Sequence, residues 1–234
     1  MKYYAGLESL HLKATRTNGG YTLSGVLPSV SNLKSDHWFG IVASVSDEQR
    51  IMAFVPCFAE GLTLKAKIHF MGVNGSATYA CAFHDVYVSD DWIISEEADQ
   101  FVERIRPIFL LYQIPLGLGV IDASIQSIQK MRNKQGGCNQ YLNTQSDELT
   151  AELHPLREKV YELTSAIDLS KRWGEIVKAR LQVTYLAIKA VHASMLHYGG
   201  AGYIQKSDPS RRLRESYFLA NLTPSVKHLE KIIQ

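Results

Sequence analysis

The chain has 234 residues, 46% of them hydrophobic and 21% charged, enough to bury one generous core or two modest ones. Its formal charge of +2 comes from intermixed signs, with no basic block that could serve as a nucleic-acid footprint, so no nucleic-acid partner is expected. No run approaches the roughly 18 consecutive apolar residues of a membrane span, and Met1 to Gly6 lacks an apolar signal core, so no membrane contact and a cytoplasmic location are expected. The three cysteines, Cys57, Cys81 and Cys138, are too far apart for zinc knuckles and odd in number, and read as reduced packing residues.

From Leu10 to about Val88 short runs of β-branched and aromatic residues alternate with turns such as Asn18-Gly19-Gly20 and Asn74-Gly75. The pattern predicts strands over Leu10–Arg16, Tyr21–Leu27, Trp38–Val45, Ile51–Pro56, Leu62–Phe70 and Ala77–Val88. Sequential hairpins of this kind predict an antiparallel barrel or sandwich.

After Asp90-Asp91-Trp92 the spacing becomes helical and stays so to the C-terminus. The expected fold class is therefore α+β: a β-domain over residues 1–92, then an antiparallel four-helix-bundle-like domain over 93–234. A first helix is expected from about Glu96 to Arg132, bent or shortened by Pro107 and Pro115. Leu149, Leu153, Leu156, Val160, Leu163 and Ile167 form one apolar stripe, and Val177, Leu181, Tyr185, Ile188, His192 and Met195 a second. The second helix should end at Gly199-Gly200-Ala201-Gly202, and Pro209 to Gln234 should form two helical pieces split at Thr223-Pro224.

Local words add what architecture alone cannot. Gly19-Gly20-Tyr21-Thr22-Leu23-Ser24-Gly25, then Val30-Ser31-Asn32 and Asp36-His37-Trp38-Phe39, resembles the acyl-CoA dehydrogenase stretch in which "GYxLNG" precedes "WITN" and "ADW". Met71-Gly72-Val73-Asn74-Gly75-Ser76-Ala77-Thr78 with Phe83-His84-Asp85-Val86-Tyr87-Val88 is similar to the family's "MGxRGSxT" and "FxDVxVP". Tyr198-Gly199-Gly200-Ala201-Gly202-Tyr203 with Pro209 and Arg212 resembles the "GGxGY…PxxR" loop that contacts the flavin pyrophosphate in a neighbouring subunit. Tyr4-Ala5-Gly6-Leu7-Glu8-Ser9-Leu10 falls where the family has "PxAGSDxxxL", so its N-terminal helical domain is expected to be absent here and supplied by a partner chain.

The resemblance implies FAD as cofactor, acyl-CoA thioesters as substrates, an oxidoreductase acting on CH-CH groups, and a homo-oligomer. It implies flavin contacts at Ser29, where the family has a tryptophan, at Ser31, where it has a threonine, and at Gly199, Gly200 and Gly202. Leu196 replaces the glutamine before the double glycine, and Lys134-Gln135-Gly136-Gly137-Cys138 stands for "RxxFG", without the arginine that would pair with phosphate oxygens. The carboxylate base of such enzymes removes a proton within hydrogen-bond reach, yet Thr223-Pro224-Ser225 occupies the place of "EGT". No Asp or Glu lies between Glu215 and Glu230.

Some members carry the base on the first helix of the helical domain. There Pro107 falls closest to the position and Glu103 about one turn away; Glu103 is either that base or a solvated helix-face charge. Two other readings stay open: a non-catalytic partner subunit that retains the fold, and a flavin monooxygenase-like protein using His228. No metal is expected, because His192 and His197 read as core residues and paired Glu-x-x-His words are absent. A dinucleotide fingerprint at Gly117-Leu118-Gly119 is unsupported, because it lies inside a helix and no glycine follows at the required spacing.

Overall fold

The computed structural model describes residues 10–234, so the Tyr4 to Ser9 stretch lies outside the described residues. Contacts divide the chain into two compact units, one ending at Arg104 and the other starting at Ile105.

The first unit is a seven-stranded sheet: β1 (Leu12–Thr17), β2 (Gly20–Val30), β3 (Trp38–Ser44), β4 (Arg50–Pro56), β5 (Leu62–Lys67), β6 (Thr78–Ser89) and β7 (Ile93–Ser95). Their spatial order is β5-β6-β2-β1-β3-β4-β7, an open arrangement rather than a closed barrel. Every pairing is antiparallel except that of β1 with β3, which is parallel through Lys13 and Ser44. The excursion of β2 to pair with β6 is what brings β3 back alongside β1 instead of continuing the meander.

Six strands fall where alternation predicts them, shifted by a few residues at their ends. The three-residue β7 is too short to leave a periodic signal. Leu12, Leu23, Ile41, Ile51, Ala53, Val55, Phe83 and Val86 fill the core of this unit, together with Cys57 and Cys81. Those two thiols are free, and burial pushes both pKa values up, that of Cys81 to about 11, which keeps them protonated and inert.

The first helical segment is broken in two. Helix α1 (Ala98–Leu111) keeps Pro107 inside it, and α2 (Ile114–Met131) places Pro115 in its first turn, where no intrahelical donor is needed. Together, 98–131 is long and apolar enough by length and composition to cross a membrane. Its residues Ile114, Ile121, Ile125 and Ile128 instead lie in the core of the helical unit.

Helices α3 (Ser146–Thr164) and α4 (Trp173–Tyr198) follow, then the single turn α5 (Gly200–Tyr203), α6 (Asp208–Asn221) and α7 (Val226–Ile233). Ion pairs from Lys189 to Glu148 and Glu152 (2.6 Å to the latter), and from Arg172 to Glu162 (2.6 Å), fix α3 and α4 as antiparallel neighbours.

The stripe on α3 is buried at Leu149, Leu153, Val160 and Leu163 and half-buried at Leu156, but Ile167 lies beyond the helix and is exposed. On α4 the prediction fails at Tyr185 and His192, both exposed. Because α4 is packed by α2, α3, α6 and α7, its buried surface is wider than one stripe and is built from Ala179, Val183, Ala187, Ala190 and Val191.

Candidate functional site

In the β-unit two of the recognised words meet at one place. Ser29 is exposed near the end of β2, and Ser31 follows immediately after the strand. The Ser31 hydroxyl lies 2.7 Å from that of Thr78, which is also 2.7 Å from that of Ser76. Asn32 adopts φ 64°, a conformation that asparagine tolerates better than most residues, and its N–H donates to the Ser76 carbonyl at 2.8 Å. The Leu33 N–H donates to the Ala77 carbonyl, and the buried Leu33 side chain anchors the turn in the core. Asn74 closes the facing loop by accepting from the Phe70 N–H at 2.8 Å and donating back to its carbonyl at 2.9 Å. Three hydroxyls from segments more than forty positions apart thus form one polar patch, Ser31 being exposed and Thr78 buried.

In the helical unit the glycine word forms the link from α4 to α6. Gly199 has φ 54° and ψ −136°, a combination reserved in practice for glycine. A Cβ on Gly202 would come within 2.9 Å of the Tyr198 Cβ and 3.1 Å of the Met195 carbonyl, so this turn packs flat against the end of α4. Nothing lies within 4 Å of the Cβ direction of Gly200, which is open. Gln135, from the segment compared with "RxxFG", donates from Nε2 to the Tyr198 carbonyl at 3.3 Å. Ser207 donates its hydroxyl to the Gly202 carbonyl at 2.7 Å and caps α6 by accepting from the Ser210 N–H. Leu196, Tyr203 and Ile204 stand exposed around this loop.

The candidate base Glu103 and the usual base position at Thr223 belong to different units. Glu103 is exposed on α1, in the unit that contains Ser29 and Ser31, whereas Thr223 belongs to the other unit with the glycine loop. The Thr223 carbonyl accepts from Gln113 Nε2 at 2.9 Å. The carboxylates that flank it in sequence are already engaged: Glu215 by Arg211 at 2.6 Å and Glu230 by the Tyr185 hydroxyl at 2.7 Å. His228 is buried and pairs with Ser225 at the start of α7. Of the two histidines read as core residues, His197 is buried with Nε2 3.0 Å from the Thr144 carbonyl, while His192 is exposed beside Tyr217.

Sequence reasoning missed Arg180, the largest fully buried side chain among the described residues. Its Nε donates to Gln113 Oε1 at 3.1 Å, Nη2 to the Leu219 carbonyl at 2.8 Å, and Nη1 to the Thr184 hydroxyl. Burial lowers its pKa to about 10, so it remains charged at neutral pH. Through Gln113 it holds the Thr223 turn. A cation in the middle of the apolar run of α4, with a threonine one turn on, was the available signal.

An open β-sheet unit followed by an antiparallel bundle of this design is the fold of the acyl-CoA dehydrogenases' middle and C-terminal parts. The acyl-CoA dehydrogenase of Geobacillus kaustophilus superposes with a TM-score of 0.86 at 16% identity, over 96% of this chain and 63% of that one. Butyryl-CoA dehydrogenase from Megasphaera elsdenii gives 0.79 at 16% identity, over 96% and 62%. Dibenzothiophene monooxygenase from a Paenibacillus species gives 0.77 at 14% identity, over 95% and 66%. In sequence, benzylmalonyl-CoA dehydrogenase of Aromatoleum aromaticum is 33% identical over 92 residues, which are 39% of this chain and 24% of that protein. No family model matches. The chain spans about three-fifths of the length of the solved structures it superposes on.

Proposed function

We propose that this chain is an acyl-CoA dehydrogenase-like flavin-binding subunit, an oxidoreductase component acting on acyl thioesters in the cytoplasm, without a base of its own at Thr223. The observation that carries this reading is the convergence of the Val30-Ser31-Asn32 and Ser76-Ala77-Thr78 words on one hydroxyl patch. Those hydroxyls suit the polar edge of an isoalloxazine, and the open side of Gly200, in the glycine loop of a neighbouring copy, suits a pyrophosphate, so the residues present fit FAD. FAD, when bound, supplies the hydride acceptor. Ser29 and Ser31 would then orient the ring, and Gly200 would let the phosphates approach the backbone of a neighbouring copy's loop.

Two features argue for weak retention. Ser29 offers no aromatic face, and no arginine stands in the 134–138 segment. Glu103 is the candidate residual base, and copies of this chain together with a chain bearing an N-terminal helical domain are the proposed partners. Exposed Ile108, Tyr112 and Leu116 on α1 and α2 give such partners an apolar face. The absence of any carboxylate from residue 216 to 229 favours, as a second reading, a partner subunit that keeps the fold without the chemistry.

An absorbance spectrum of the purified chain with FAD, read across a size-exclusion peak, separates the two. Flavin bands are expected to co-elute with an oligomer; a colourless protein in excess FAD would leave the scaffold reading. Restoring the aromatic face tests the site itself. Ser29→Trp is expected to tighten FAD binding about five- to tenfold, the value of a stacked ring pair at about 1–1.5 kcal/mol. Unchanged affinity in an isothermal titration would remove Ser29 from the flavin site.

A further inference from the structure

We propose that the loop between β5 and β6 docks this chain onto an anionic lipid surface. Over residues 68–73 the side chains of Ile68, Phe70, Met71 and Val73 stand 61%, 38%, 59% and 38% exposed. A contiguous cluster of exposed apolar side chains marks an interaction surface.

The tip is held in place by its own hydrogen bonds. Asn74 accepts from the Phe70 N–H and donates back to its carbonyl, the Ser76 N–H donates to the Val73 carbonyl at 3.1 Å, and the Asn32 N–H donates to the Ser76 carbonyl at 2.8 Å. Val73 sits at φ 59° and ψ 35°, a left-handed conformation that a β-branched residue adopts only where its surroundings impose it. A tip formed in advance loses little conformational entropy on binding.

Charge selects the occupant. Leu62 and Leu64 of β5 pack against the core of the β-unit, so strand alternation puts Lys65 and Lys67 together on the outer face at the foot of the loop, both exposed. Opposite them on β6 stand the neutral Ala80 and Thr78, and from Gly61 to His84 the sequence has no Asp or Glu. An apolar tip with lysines at its foot complements anionic headgroups: the tip enters the headgroup boundary and each lysine adds attraction. The apolar face on α1 and α2 differs in this respect, because residues 108–121 carry no charged side chain, a composition suited to a protein partner. Docking of this kind needs no spanning segment.

Co-sedimentation of the full chain with vesicles tests this, phosphatidylcholine alone against a phosphatidylcholine–phosphatidylserine mixture. Binding to the mixed vesicles is expected to be tighter by about 25-fold, about fivefold for each lysine, and to weaken as salt is raised. Lys65→Gln combined with Lys67→Gln should bring the mixed-vesicle affinity down to the phosphatidylcholine value. Ile68→Ser combined with Met71→Ser should weaken binding about tenfold or more. All four side chains are exposed, and an unchanged circular dichroism spectrum checks that the variants fold. Lys227→Gln combined with Lys231→Gln, at exposed sites on α7, should leave binding unchanged. No binding to the mixed vesicles, equal binding to both kinds, retained binding in either loop variant, or as large a loss in the α7 variant would overturn the proposal.

Discussion

Arg180→Ala is expected to destabilise the helical unit by about 3–5 kcal/mol, the range seen when a buried hydrogen-bonded charge network loses its central member. The side chain ties three elements at once: Gln113 between α1 and α2, Thr184 on α4, and the Leu219 carbonyl on α6. Truncation leaves a cavity of most of an arginine, strands Gln113 Oε1 without a donor and leaves the Leu219 carbonyl only the longer bond from the Leu222 N–H at 3.3 Å. Arg180→Met refills the volume and removes a buried charge, and it should recover about half of the loss, because Gln113 Oε1 still lacks a donor. Arg180→Lys keeps the charge but cannot span three acceptors in a planar fork, so it should fall nearer the alanine variant. Urea unfolding followed by far-ultraviolet circular dichroism ranks the three. An alanine variant within about 1 kcal/mol of wild type would mean that the network adds little. The measurement also bears on function, since Gln113 passes the constraint to the Thr223 turn.

Much of this architecture is legible in the sequence, and what is not has physical causes. Strand positions and the split at Thr223-Pro224 came from local chemistry: alternation, turn residues and a proline that ends a helix. The parallel β1 to β3 pairing could not be read, because it depends on which distant strand claims β2, and the register with β6 is settled by cross-strand packing. On α4 a single stripe was the wrong model, as a central helix contacted on several sides buries positions that periodicity assigns to solvent. The hydroxyl patch was half legible. Ser31 was singled out, but its partner Thr78 lies 47 positions away and only the fold joins them. Arg180 was missed because its partners, an amide, a hydroxyl and a carbonyl, leave no opposite charge in the sequence to point toward it.

Gly25→Ala is expected to cost the β-unit about 3 kcal/mol or more, through backbone strain and a collision that cannot relax. Gly25 has φ +135°, and a Cβ there would fall 2.2 Å from the His11 carbonyl oxygen and 3.1 Å from the Leu12 Cα, main-chain atoms at the start of the neighbouring strand. The close approach has a source in the β2 to β6 pairing. Between Leu23↔Val86 and Gly25↔Phe83 the register slips, leaving an extra residue on β6, and Asp85 there adopts φ 54°. Ser24 stabilises that bulge by donating to Asp85 Oδ1 at 2.8 Å. Leu12 of β1 is the ladder partner of Gly25, so the backbone of β1 lies too close for a side chain, and the last glycine of the "GYxLNG"-like word is thereby explained by sterics. Gly75→Ala is the matched control, because nothing lies within 4 Å of its Cβ direction, and it should change stability by no more than about 0.5 kcal/mol. Equal urea midpoints for the two variants would show that β1 can move aside and that the hairpin is not locked at the Leu12–Gly25 pair.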